Sequence, residues 1–480
     1  MEHAKPLNLK KVCLFLMGGY LVFVLVFYFA AHDQLFIRSS KRNIENTAGD
    51  LAAGELLSGQ TVTQTFLSEM DLIHMLSVRL ATFNRRNEQT IQVRLLDQQT
   101  GEPLFSGSLE AAALADSQPA ELAISPPLEG MYGRWLLLEL RAADGTSGNA
   151  VAPWYRSQGQ QEGWSLQIAG QPVVGTLCFG VSGQDYVWTG PHYGQLAAVG
   201  GAAVALYCLY ILYRSRHGRT SLVVNALYAL SNYRFLIEQL VTRDFKTKYK
   251  RSVLGVFWSF LNPLLTMTVQ YIVFSTIFKS DIENYPVYLL SGVVLFNFFS
   301  EATGMSIMSV VGNASLITKV YVPKYIYPVT RVCSSSVNLL ISLLPLLLMI
   351  LFTHTPITRA YLLLVFPLGC LLLFCIGLAF LLSASMVFFR DTQFIWSVFS
   401  LLWMYMTPIF YPENILPPQF AAVHRYNPLY YFVKVTRTII IDGISPEPRV
   451  YLICAIFTLA MLGIGGLVFH KTQDKFVFYI

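Results

Sequence analysis

The chain has 480 residues, 54% of them apolar and only 13% charged. An ordinary soluble domain carries roughly 25% charge, so a soluble enzyme and a disordered chain are both excluded, and an integral membrane protein is the default. The net charge of +6 hides two regions: residues 32–194 hold 10 basic and 17 acidic residues, and the remainder is strongly basic.

A spanning helix needs about 20 mostly apolar residues. The first such run is Val12–Ala31, preceded by Lys5, Lys10 and Lys11. It is too long for a signal-peptide core and lacks a small-x-small cleavage site, so a retained anchor is expected. Residues 32–194 follow. There, Leu76–Leu80 and Ile91–Leu95 alternate with period two, and Leu136, Leu138 and Leu140 share one face. Gly- and Pro-bearing turns separate them, which predicts a β-sandwich, jelly-roll-like in pattern. Cys178 is the lone cysteine of this segment, so no internal disulfide is possible and apolar packing alone is expected to stabilise it. Trp154, Tyr155 and Trp164 are candidate glycan-stacking rings, with core packing as the competing assignment.

The second span is expected at 195–213. Further apolar runs lie near 253–278, 286–311, 333–353, 360–389, 393–411 and 450–470, giving about eight spans. Residues 426–441 are short and contain Lys434 and Arg437, so they read as a re-entrant or interfacial helix. With the N-terminus inside, the cytoplasmic side collects 18 basic residues and the opposite side 6. That bias predicts both termini in the cytoplasm and residues 32–194 outside it. The expected fold is an α-helical polytopic membrane protein with an inserted extracytoplasmic β-sandwich. Its parts are residues 1–31, the β-domain at 32–194, the span at 195–213, a cytoplasmic linker with an interface helix at 214–251, and a six-span domain at 252–480.

Between Asn232 and Arg251, apolar residues recur at helical spacing among Arg243, Lys246, Lys248, Lys250 and Arg251. This is a basic amphipathic helix suited to a membrane interface, or a plain charged anchor before a span. Glu301 lies inside an apolar run. A carboxylate there costs roughly 2.5–3.5 kcal/mol on insertion scales, so it should face protein or a wet cavity. A pathway contact, a link between subunits and a hydrogen-bonded acid near the membrane edge all remain open. No Gly-Lys dipeptide occurs, so the chain has no Walker A loop; it also lacks H-E-x-x-H, G-x-S-x-G and C-x-x-C motifs. Neither a catalytic residue nor a metal or nucleic-acid site is expected.

The run from Arg243 to Pro263 reads R-D-x-K-x-x-Y-x-x-S-x-L-G-x-x-W-x-x-L-N-P. It resembles the opening of the type-2 ABC export permeases, in the branch that exports O-antigen, teichoic acid or capsule. Asn313–Pro323 resembles that family's cytoplasmic loop, and Thr407–Pro412 with Asn427-Pro428-Leu429 its outer loop. The resemblance covers about 230–480 and omits the β-domain. It implies a transport subunit of a bacterial inner membrane, not an enzyme, that exports a lipid-linked surface polysaccharide. It also implies a homodimer served by two copies of a cytoplasmic ATPase. ATP and Mg would be bound by that partner and no cofactor by this chain. The loop residues Asn313, Leu316, Ile317, Lys319, Val320 and Pro323 would couple to the ATPase, with Leu316, Ile317 and Val320 as buried contacts. Trp258, Glu301, Tyr405, Tyr411, Tyr426, Tyr430 and Tyr431 are candidates for the path or its outer gate, although an interfacial aromatic belt explains the tyrosines almost as well. An exporter of another lipid or small amphiphile, and a glycan-sensing receptor or scaffold, are the rival functions.

Overall fold

The structure is a computed structural model. It describes the chain apart from residues 1–8, 43–50, 158–162, 218–227, 229–230, 251–253, 256, 279–283, 320–321, 412–423 and 480. The chain divides into two compact units, one of residues 33–193 and one of residues 1–32 with 194–480.

The first unit is built from antiparallel strands β1 (Ile37–Arg42) to β13 (Phe179–Tyr186). One sheet runs β1, β13, β4 (Leu72–Ala81), β9 (Ala152–Arg156) and β12 (Thr176–Leu177), with β2 (Leu51–Ala52) also on β9 and β7 (Pro119–Leu128) also on β4. The second runs β11 (Gln171–Val173), β10 (Ser165–Ile168), β3 (Thr61–Leu67), β8 (Trp135–Ala142), β5 (Thr90–Asp97) and β6 (Pro103–Glu110). The expected alternation is realised. Leu76, Val78 and Leu80 of β4 (Leu72–Ala81), Ile91, Val93 and Leu95 of β5 (Thr90–Asp97), and Leu136, Leu138 and Leu140 of β8 (Trp135–Ala142) all face a shared core. Phe66 of β3 (Thr61–Leu67) meets Phe179 of the other sheet at 5.0 Å between ring centroids, and Trp164 lies against both. Each such side chain contributes roughly 1.5–3 kcal/mol on burial.

Apolar packing is not the whole account. Gln64 is fully buried in β3; its amide donates to the Thr65 and Ser165 carbonyls and accepts from the Leu177 N–H on the opposite sheet. Gln89 similarly joins the Leu56 carbonyl to the Val151 N–H. These satisfied amides tie separate chain segments together in a unit whose only cysteine, Cys178, is buried and forms no disulfide.

The second unit contains seven helices long and apolar enough to cross a membrane, among the described residues. They begin with α1 (Leu9–Ala31) and α2 (Thr189–Arg216). A short helix, α3 (Arg234–Tyr249), precedes α4 (Phe257–Phe278) and α5 (Tyr285–Ile307). Next come the six-residue α6 (Ala314–Lys319), α7 (Ile326–Phe352) and α8 (Val365–Phe388). Last are α9 (Thr392–Met406), α10 (Pro428–Ile440) and α11 (Pro448–Thr472). The expected span at 393–411 is the 15-residue α9. At 1.5 Å per residue it reaches about 22 Å, short of the ~30 Å hydrocarbon core. Nine of the thirteen residues of α10 are buried, so this helix sits inside the bundle and is not an interfacial one.

Small residues set the helix spacing. A Cβ on Gly465 of α11 would fall 1.8 Å from the Gly377 carbonyl oxygen of α8. That backbone contact exists only because both positions lack side chains. The N-terminal helix is part of the same unit: Tyr20 donates to the Ala197 carbonyl at 2.7 Å, and Phe27 meets Tyr451 edge-on at 5.5 Å.

Three carboxylates in the β-unit are held below the usual range. The Arg85 side chain does this for Glu55, and the Thr100 and Gln99 backbone N–H groups for Asp97. For Asp116, burial acts upward but hydrogen bonds from Thr82 and Ser117 outweigh it. A depressed folded pKa gives stability that is present above the unfolded value and lost as pH falls through the folded one. The β-unit should therefore weaken below about pH 4, which amide hydrogen exchange across β3 to β8 would register as smaller protection relative to the unfolded chain at the same pH. The Gly465→Leu substitution should lower the thermal midpoint of the membrane unit by separating α8 from α11; an unchanged midpoint would contradict the close packing.

Candidate functional site

The basic segment before the first matched span folds as α3, and it is docked rather than loose. Leu240 is buried with Val322, Ile326 and Tyr327, and Leu236 and Ile237 pack on the same cluster. Asp244 and Lys248 are four residues apart and so share one helical face. Asp244 accepts from Arg331 of α7 at 2.7 Å and from Ser334 at 3.4 Å. Lys248 donates to Glu301 of α5 at 2.8 Å. Glu301 also accepts from Asn338 at 2.6 Å, whose own side-chain oxygen accepts from Ser259 of α4 at 3.4 Å. One face of α3 thus presents a negative and then a positive charge to a core that presents the opposite pair.

The two pairs differ in weight. The Asp244 side chain is 5% exposed and its Arg331 partner 21%. Breaking a buried pair by removing one partner costs about 3–5 kcal/mol. Lys248 and Glu301 are far more exposed, in the regime of about 1 kcal/mol or less. Glu301 accordingly anchors α3 to α5. The remaining interface residues Arg243, Lys246 and Lys250 lie on the exposed side, and Arg251 falls outside the described residues. Asp244 and Arg331 were not singled out from the sequence. The available signals were one carboxylate in a basic run and one arginine at the mouth of an apolar span.

The cytoplasmic-type loop forms a turn at Val311–Asn313 followed by α6. Asn313 is buried and donates to the Ser309 carbonyl at 2.7 Å. Leu316 and Ile317 are half-buried against the α3 cluster, so their apolar surface is largely used inside the chain and not presented whole to a partner. The exposed residues of α6 are Ser315, Thr318 and Lys319. Pro323 is half-buried where the loop enters α7, and Val320 falls outside the described residues.

The outer-loop motif is irregular backbone, and its carbonyls are taken up one after another. Arg437 of α10, 8% exposed, donates to the Pro408 carbonyl at 2.6 Å, the Ile409 carbonyl at 2.9 Å and the Tyr288 carbonyl at 3.0 Å. Its guanidinium also lies 3.4 Å from the Tyr288 ring centroid. Tyr285 donates to the Phe410 carbonyl and Tyr288 to that of Tyr411. Asn427 caps α10 through the Leu429 N–H and accepts from Trp403 Nε1 at 2.7 Å. Such backbone is tolerated at membrane depth only when protein encloses it.

The candidate aromatic residues do not form one row. Tyr405, Tyr426 and Trp258 are exposed. Tyr411 donates to the Tyr405 carbonyl and Tyr431 to that of Arg425. Tyr430 is buried, stacked on His424, and accepts from Lys434, so it is a packing residue and no path-lining one. A groove of about 450 Å³ instead runs between α5 and α9, lined by Phe296, Ser300, Gly304, Gln393, Trp396 and Ser397 among others. In the β-unit, Trp164 is 7% exposed and belongs to the core, which removes it as a glycan contact. Trp154 and Tyr155 are consecutive on β9 (Ala152–Arg156) and so point to opposite faces; Tyr155 packs on the core.

The docking of α3 yields a direct test. Asp244→Asn and Arg331→Met should each speed amide exchange in residues 234–249 at least tenfold, and the double variant should do no worse than the worse single one. Additive effects would show that the pair does not hold the helix.

Sequence comparison places these features. Residues 236–441 match the ABC-2 type transporter family. The O-antigen export system permease protein RfbA of Klebsiella pneumoniae is 29% identical over 244 residues, 50% of this chain and 93% of that protein. The RfbA protein of Myxococcus xanthus is 28% identical over 258 residues, 53% and 98% of the two chains. The polysialic acid transport protein KpsM of Escherichia coli is 24% identical over 247 residues, 50% and 93%. The β-unit at 33–193 lies outside the family match. Residues 236–441 are therefore similar to ABC-2 type transporter domains, and the membrane half resembles the polysaccharide-exporting permeases compared above.

Proposed function

We propose that this chain is the permease subunit of an ABC exporter for a lipid-linked surface polysaccharide. The observation that carries this reading is the α3–α6 assembly. The long motif that resembles the polysaccharide exporters begins on α3, a helix locked to α5 and α7 by opposed charges. That helix packs on the loop whose family counterpart meets the ATPase. Displacement of α6 by a partner would pass directly to α3 and thence to the spans. The relatives' names supply the substrate class: O-antigen for two of those compared and polysialic acid for the third.

In this reading the ATPase is a separate chain that binds ATP and Mg, and two permease copies enclose the path. One bundle of this size is narrow for a polymer, and the partly polar groove between α5 and α9 offers a wall for a shared channel. The Arg437-clamped loop closes its outer end. The placement of basic residues supports both termini in the cytoplasm of a bacterial inner membrane, with the β-unit outside. Tyr405, Tyr411, Tyr426 and Tyr431 stay candidates for the outer mouth, and Trp258, at the opposite end of α4, for the path.

Deletion of the gene should remove the polysaccharide from the cell surface and leave its lipid-linked form in the cytoplasmic leaflet. Normal surface polysaccharide in the deletion strain would overturn the reading. Lys319→Glu together with Ser315→Trp, on the exposed side of α6, should cut ATPase association at least tenfold without altering the fold; unchanged association would remove α6 as the coupling element.

A further inference from the structure

The β-unit carries a cluster that neither its core nor the transport half uses. On β4, Val78 and Leu80 face the core, so Arg79 between them faces outward. Trp154 of the neighbouring β9 also faces outward. The two meet at Ser117: Trp154 Nε1 donates to the Ser117 hydroxyl at 3.2 Å, and Arg79 Nε to the Ser117 carbonyl at 2.7 Å. The Ser117 hydroxyl donates to one oxygen of Asp116 at 3.1 Å. The other Asp116 oxygen accepts from the Thr82 N–H at 2.6 Å and the Thr82 hydroxyl at 2.9 Å. A continuous chain of hydrogen bonds thus links the Trp154 face to the loop after β4.

That loop is held in a costly shape. Phe83 and Asn84 have φ of +58° and +53°, and Ser117 has +57°. These are left-handed conformations that non-glycine residues rarely adopt and that persist only where surroundings enforce them. Beneath the loop, Asn87 is fully buried and donates to the Thr82 carbonyl at 3.1 Å; its amide oxygen has no partner among the described residues. The loop holds out an aromatic ring: Phe83 is 45% exposed, with the Arg85 guanidinium 4.9 Å from its centroid. Arg85 is in turn tethered to Glu55. Burying Phe83 would serve the fold better than displaying it, and the sandwich core is complete without it.

The chemistry of the cluster selects a ligand class. It combines two aromatic rings, guanidinium groups and a primary amide from Asn84, with charges of both signs close together. No field of one sign is present to steer a nucleic acid or another polyanion. Apolar ring faces beside hydrogen-bond donors suit the C–H face and hydroxyl rim of a pyranose. We propose that the Thr82–Arg86 loop and the Trp154 face of β9 form a saccharide-binding site that takes a pyranose ring of the exported glycan, with Phe83 and Trp154 as the stacking rings. The identity of that glycan rests on the export function proposed above.

The test uses the full-length chain in lipid nanodiscs and, as probe, polysaccharide released by mild acid from the surface of the native host. Binding is measured by titration calorimetry. Phe83→Asn removes the ring while tolerating the left-handed backbone, and Trp154→Phe trims the second ring. Tyr132→Ala, at another exposed aromatic of the same unit, is the control. The site predicts about tenfold weaker binding for Phe83→Asn, a smaller loss for Trp154→Phe and none for the control, all with unchanged thermal midpoints. Equal binding by all four proteins overturns the site. So does a wild-type chain that binds no glycan while the deletion strain lacks surface polysaccharide, and in that case the export reading stands. Ring-dependent binding alongside normal surface polysaccharide in the deletion strain upholds the site and overturns the export reading instead.

Discussion

The membrane half depends on how a charged helix is fastened to an apolar bundle. Asp244 and Lys248 on one face of α3 meet Arg331 and Glu301 on two different spans. Each charge would be expensive alone beside hydrocarbon; paired with its opposite it fixes a single docking register. The alternating order matters, because a slide of one turn along α3 would bring like charges together. The more buried Asp244–Arg331 pair carries most of the energy, and the Lys248–Glu301–Asn338 group adds direction more than strength.

The same economy of polar groups governs the other end of the bundle. The stretch from Thr407 to Tyr411 makes no regular helix, so its carbonyls need donors from elsewhere. Arg437, Tyr285 and Tyr288 provide them. Because those donors sit on α5 and α10, the loop moves only if these helices move with it. The α5 helix also carries Glu301 near its other end, so one rigid element touches both the docked helix and the clamped loop.

Much of this was legible in the sequence, and the failures have physical causes. Period-two alternation located the β4, β5 and β8 core faces because one buried face leaves an unambiguous pattern. Apolar length located the spans, and failed at 393–411, where the helix stops at Met406 and irregular backbone follows. Motif spacing located α3, α6 and the clamped loop but not their internal partners. Leu316 and Ile317 look like an exposed apolar plug when read alone; only the fold brings Leu240 and Ile326 against them. Glu301 was recognisable as costly, yet its partner Lys248 lies 53 residues away and no local pattern joins the two. Tryptophan content suggested a stacking surface in the β-unit but could not separate Trp164, which fills the core, from Trp154, which does not.

The central claim is that the α3–α6 assembly receives the motion of a nucleotide-driven partner. The most direct measurement is purification of the tagged chain from its native membranes in mild detergent, with co-purifying proteins identified by mass spectrometry. The account predicts a stoichiometric Walker-motif ATPase that is lost when α6 carries Lys319→Glu with Ser315→Trp. Reproducible absence of any such ATPase from an intact, folded preparation would contradict it.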